Sequence, residues 1–217
     1  MAASVLSVQV AEPCEIVWLG RTATTSIWKE LVEGRVRVGE ASLEGDRQAD
    51  MRFHGGADKA LYAYAREDYD WWEVELGHSL ANATFGENLT LKGLDVTCAL
   101  VGERWRVGSA LLEVTGPRTP CWKLGARMES VDFPVYFAAA GRPGAYFRVL
   151  EQGELAAGDE VEIVHRPSHR LTVGEVAEIY HGDRDRCEDL LRAPEIGSEW
   201  RAWVRERLGG AHPVLPG

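Results

Sequence analysis

The sequence predicts a mainly β protein, a β-barrel with interspersed helices followed by a small C-terminal three-helix extension. Three observations predict it. Short segments of strand character recur at close intervals, glycine-bearing turns separate them, and past His165 the pattern changes to helical periodicity. Many short strands with close turns and few helices favour a barrel over a parallel α/β sheet.

The elements follow in order. Segments 4–10 and 14–19 read as strands, the second ended by Gly20 and Arg21. Segments 24–28 and 35–38 read as further extended pieces, and 61–64 as another strand. From Arg66 to Leu76 the period becomes helical, with Tyr69, Trp72 and Leu76 on one face and Gly77 as the stop. Strands resume at 88–91, 104–107, 111–115, 146–150 and 160–164. Beyond Pro167, Thr172 and Glu175 have the spacing of a capping box, opening a helix to about Tyr180. Helices over 185–191 and 198–208 follow, and Leu171, Val176, Ile179, Leu190, Leu191, Trp200 and Trp203 are available for burial. The chain thus divides into a barrel domain over 1–166 and a helical extension over 167–210.

Composition narrows the function. The 217 residues are 45% hydrophobic and 27% charged, which suits a soluble globular protein with a real core. No apolar run approaches the roughly 20 residues of a membrane span, and the first residues lack the basic start of a signal peptide. The four cysteines are scattered without a CxxC pair, which argues against a disulfide framework or closed zinc site and for a reducing cytoplasm. The net charge of −10 weighs against nucleic-acid binding. It leaves room for a small anionic ligand at a local cluster of cations, and the stretch from Arg47 to Arg66 holds Arg47, Arg52, Lys59 and Arg66.

Cys121 is the most informative single residue. It lies in Gly116-Pro117-Arg118-Thr119-Pro120-Cys121-Trp122-Lys123-Leu124, where two prolines stiffen the approach and two cations flank the thiol. If Arg118 and Lys123 lie close in space they favour the thiolate, the form that ligates soft metals and acts as nucleophile. The plain alternative is a buried, inert thiol. Cys98, in the apolar run 96–101, reads as packing. Asp46, Asp50 and Asp58 read as ion-pair and turn residues rather than metal ligands, and the aromatic group Tyr62, Tyr64, Tyr69, Trp71 and Trp72 reads as core, although such side chains could also line a pocket.

Four segments in sequence resemble the MOSC family, named for the C-terminal part of molybdenum-cofactor sulfurases, and in particular its bacterial YiiM-type branch. They are Gly45–Asp50 (GDRQAD), Phe53–Ala60 (FHGGADKA), Phe85–Leu89 (FGENL) and the Pro117–Leu124 run. A later run, Ala140–Leu150, is also typical of that branch. The resemblance covers nearly the whole chain and implies the MOSC β-barrel, with the helical tail of that branch. It further implies a molybdenum cofactor (molybdopterin with Mo) held through the cysteine that corresponds to Cys121, and reduction of N-hydroxylated compounds such as hydroxylamino-purines to amines.

Such a cofactor needs a soft ligand for the metal, donors for the pterin and cations or free N–H groups for its phosphate. Cys121 suits the first as metal ligand and catalytic residue. Gly55, Gly56 and Gly86 let the backbone approach a ligand. Arg47, Arg52, Lys59 and Arg118 are candidate cations. Asn88 is a candidate donor, and Glu87 either shares that role or ties down its loop. His54 is a cofactor-binding and catalytic candidate as a proton donor, or else simply fixes its loop. Trp122 either stacks on the pterin or packs in the core. There is no G-x-G-x-x-G fingerprint for flavin or nicotinamide, and pyridoxal phosphate is not expected. Electrons are therefore expected from a separate redox protein. No nucleic-acid or membrane partner is expected, and a homodimer remains open. Two rival readings stand beside the reductase. One is a sulfur carrier with a persulfide on Cys121; the other is a non-catalytic module whose tail binds partners.

Overall fold

The computed structural model describes residues 2–49, 51 and 55–209. Twelve strands are named among them: β1 Ser4–Val10, β2 Cys14–Trp18, β3 Arg21–Thr25, β4 Glu30–Leu31, β5 Val36–Val38, β6 Leu61–Ala65, β7 Leu89–Lys92, β8 Arg104–Val107, β9 Ala110–Pro117, β10 Ala145–Glu151, β11 Gly153–Leu155 and β12 Val161–His165. Eight form one sheet in the order β12-β8-β9-β10-β6-β7-β1-β4. Its neighbours are antiparallel except β6 and β7, which run parallel with α1 (Arg66–Leu76) as the crossover. Strands β2 and β3 form a separate hairpin, and β5 pairs with β11.

The expected closed barrel is corrected by these ladders. Among the described residues the sheet runs open from β12 to β4, and the start of β1 meets the chain entering β12 through the bridge of Ser4 with Glu160 and nearby bonds such as Val5 N to Asp159 O. The reason lies in β1. One edge pairs with β7, while the other is divided between Glu160 at its start and β4 at Gln9 and Val10. No length of that edge is left for a full β1–β12 ladder.

The extension also differs from expectation. The helices α4 (Val173–His181) and α5 (Ser198–Leu208) flank a 3-10 helix over Arg184–Arg192, so the tail has two α-helices rather than three. In the middle segment Cys187 and Leu190 are buried three residues apart, the period that a three-residue turn keeps on one side. Leu191, offered for burial, is 48% exposed. Thr172 does cap α4, accepting from Glu175 N at 3.0 Å, but the Glu175 carboxylate turns to Arg186 and Arg192 instead of closing a reciprocal box. Two short helices, α2 (Trp122–Arg127) and α3 (Phe133–Ala139), were not expected.

Three apolar clusters hold these pieces. One fills the space enclosed by the sheet, where the rings of Trp105 and Phe147 lie 4.8 Å apart. A second joins Val101 to Leu171, Ile179, Trp200 and Trp203 of the tail. The third is the expected aromatic group, with Tyr62, Tyr64, Tyr69 and Trp72 packed against Phe85, Phe133 and Phe137, and Trp71 half-buried beside it. Cys98 is exposed, not packed as expected, in a turn where its N–H donates to the Asp95 carboxylate at 3.0 Å.

Candidate functional site

Residue by residue, the site grows from the ends of β6, β9 and β10. Chain leaving β9 at Pro117 carries Arg118 and Cys121, and Cys121 then opens α2 in an extended conformation with its carbonyl bonded to Leu124 N at 2.9 Å. The thiol is 7% exposed and lines a cleft of about 670 Å³, open mouth included. Arg118 and Lys123 line the same cleft and are themselves buried. Arg118 donates to the Phe85 carbonyl and lies 5.1 Å from the centre of the Tyr62 ring. Burial works against its charge, but the fields of Tyr62, Tyr146 and Cys121 outweigh it and raise the guanidinium's pKa. Among the described residues neither Arg118 nor Lys123 has a carboxylate within ion-pair distance, and the Lys123 ammonium, which reaches the open cleft, has no side-chain hydrogen bond there either.

The other cations of the cleft are balanced. Lys29 pairs with Asp46 at 2.5 Å, and Asp46 also accepts from Ala11 N and from Asn88 Nδ2. Burial pushes the Lys29 pKa down, against the pull of Asp46. Lys59 pairs with Glu199 of α5 at 2.5 Å. Arg47 stands at the rim with its guanidinium largely exposed, 3.6 Å from Glu12.

Asn88 lines the cleft, yet its amide is spent within the protein. Its Oδ1 accepts from Tyr62 N, and its Nδ2 donates to Gln9 O and to Asp46. Glu87 is fully buried and ties down its turn, accepting from Tyr69, Ala83 N and Thr90. Gly86, in the left-handed region at φ 77°, passes so close to Ile27 that a Cβ would sit 2.7 Å from its Cγ1. Trp122 is half-buried and stacks on Trp18, ring centres 6.5 Å apart.

Of the residues expected from sequence, Cys121, Arg47, Lys59, Gly86, Asn88 and Arg118 come together around this one cleft. Gly55 and Gly56 lie in the loop beside it, not on its wall. His54 and Arg52 lie outside the described residues, as does Asp50. Sequence reasoning missed Lys29, Gln48 and Tyr146, and Tyr62 entered only as one of the aromatic group that could line a pocket. Gln48 clamps the neighbouring loop, accepting from Gly56 N at 2.8 Å and donating to Lys59 O at 2.8 Å. Its signal was its place in the GDRQAD run, and that of Tyr146 its place in the Ala140–Leu150 run; Lys29 lies in neither. Asp46 and Asp58 are the ion-pair residues they were read as, Asp58 meeting Arg148 at 2.8 Å and Ser198 N at 2.7 Å. Among the described residues no three His, Cys, Asp or Glu side chains group to hold a bare metal ion, and no helix is long and apolar enough to cross a membrane.

A sheet-dominated fold with an aimed cysteine in a cationic cleft defines the class. The sequence pattern of the MOSC domain matches residues 50–162, and the chain belongs to the MOSC domain family. Within it the chain is of the YiiM type. It is 35% identical over 193 residues to the protein YiiM of Escherichia coli, covering 86% of each. It is also 35% identical over 214 residues to an uncharacterized protein, YflK, of Bacillus subtilis, covering 97% of each. A Gibberella moniliformis protein described as a reductase is 30% identical over 159 residues, which are 28% of its length. Among solved structures, YiiM from Geobacillus stearothermophilus superposes with a TM-score of 0.80 at 31% identity, covering 95% of this chain and 99% of that one.

Proposed function

We propose that the chain is a molybdenum-cofactor-dependent reductase of N-hydroxylated compounds, hydroxylamino-purines among them, with the metal held by Cys121. The observation that carries this reading is the pair of buried cations beside the thiol. Charge taken out of water needs a counter-charge, and an arginine cannot shed its proton to escape the cost. Arg118 and Lys123 without carboxylates therefore fit an anionic group at Cys121, and a thiolate with a phosphate-bearing, sulfur-rich cofactor is anionic. The donor set fits the group in kind: one soft thiol and two cations that no carboxylate meets among the described residues.

When bound, the cofactor supplies the two-electron chemistry. The chain's own residues do the rest. Cys121 fixes the metal's place, Arg118 and Lys123 balance charge, and the Lys29–Asp46–Asn88 chain of bonds keeps the cleft's far wall rigid. Electrons come from a separate redox protein. The burial of Cys121 favours a ligand over a swinging sulfur carrier, whose thiol must reach a partner.

The test is molybdenum content, with released pterin fluorescence, on protein from a cofactor-competent host. Near-stoichiometric metal in the wild type and its loss in Cys121→Ser support the proposal. Absence of metal and pterin from the wild type, beside a loaded control protein from the same host, sinks it.

A further inference from the structure

Tyr146 lies on β10 where its pairing with β9 slips register, Tyr146 opposite Gly116 and Phe147 opposite Val114. Its ring is packed against Tyr62, centres 5.3 Å apart, and the Lys59 ammonium lies 5.5 Å from its centre. It lines the same cleft as Cys121, Arg118 and Lys123. The other tyrosines of this region are tied: Tyr62 donates to Pro143 O at 2.8 Å, Tyr64 to Arg142 O at 3.0 Å and Tyr69 to Glu87 at 2.7 Å. The Tyr146 hydroxyl has no hydrogen-bond partner among the described residues. The hydroxyl is not among the buried oxygens cut off from solvent, so it opens into the cleft, where a ligand can meet it.

We propose that the Tyr146 hydroxyl touches the bound substrate and gives one of the protons consumed when the N–O bond breaks. This rests on the reductase reading. In that reaction the cofactor, when bound, would supply two electrons, themselves resupplied by the separate redox protein. The N–O bond breaks, the oxygen departs as water and the nitrogen takes a hydrogen, two protons in all. Tyr146 supplies the proton for the departing oxygen and recovers its own from solvent at the mouth. The surroundings suit that exchange. Burial keeps the phenol protonated until it is used, while the Arg118 and Lys59 charges ease the phenolate that donation leaves.

Tyr146→Phe removes one oxygen and no internal bond, so its melting temperature and molybdenum content should equal those of the wild type. With hydroxylaminopurine as substrate, kcat should fall about 100-fold while KM changes by less than about threefold. Adding that substrate to oxidised wild-type protein should give an ultraviolet tyrosine difference band that the variant lacks. A loaded Tyr146→Phe protein with wild-type kcat and the same difference band overturns the assignment of Tyr146 alone. A wild type that carries no molybdenum and reduces no hydroxylaminopurine overturns the reductase reading, and this assignment with it.

Discussion

Lys123 carries a charge to a wall where, among the described residues, no carboxylate meets it, and the cost of that arrangement falls on the ligand-free protein. Lys123→Met keeps the stem and drops the charge. The variant should be more stable than the wild type by about 1 kcal/mol without cofactor, since a cation held for function is a common stability sacrifice. The same change should lower the molybdenum retained through purification. Thermal melts of the two apo proteins beside their metal contents check both halves, and a destabilised variant with full metal would contradict the argument. At this scale the sequence was informative about Cys121 and Arg118, because proline and charge around a thiol leave a local mark. It was silent about Lys29, whose importance comes from Asp46, a neighbour seventeen positions away.

Among the elements, the turn between α1 and β7 is held by a buried carboxyl. Glu87 receives Tyr69, Ala83 N and Thr90, and burial raises its pKa above the ordinary 4.5. The sign follows from linkage. A carboxyl whose folded-state pKa is raised contributes stability that is fully present below 4.5 and is lost as pH climbs through the raised value. The melting-temperature advantage of wild type over Glu87→Gln should therefore shrink as pH rises from about 5 to about 8. An advantage that grows over that range would mean the carboxylate form is the one the fold prefers. Most strands were legible because their apolar residues alternate and their turns carry glycine. The helices α2 and α3 were not, being only six and seven residues long and following a proline-stiffened loop that reads as irregular throughout. The open edge of the sheet was equally hidden, since it depends on how β4 and Glu160 divide one side of β1.

For the molecule as a whole, the tail is fastened to the sheet beneath the cleft. Gly197 N bonds Thr115 O at 2.9 Å, Ser198 N bonds Asp58, and the Trp200 indole lies so close to Gly116 that a Cβ there would be 2.6 Å from its nitrogen. These joins make sheet and tail one cooperative unit. Trp200→Ala should cost about 3–5 kcal/mol and lower a single calorimetric transition for the entire chain. Two separated transitions in the wild type would show that the tail melts by itself.

That fastening also sets an order in time. Lys59 lies 140 positions before the Glu199 that pairs with it. At ribosomal speeds of about 5–20 residues per second, roughly 7–28 s separate the making of the two. A nascent chain therefore carries its thiol and the Arg118 and Lys123 cations for that interval before Glu199 is made. The finished cleft thus joins early and late parts of the chain.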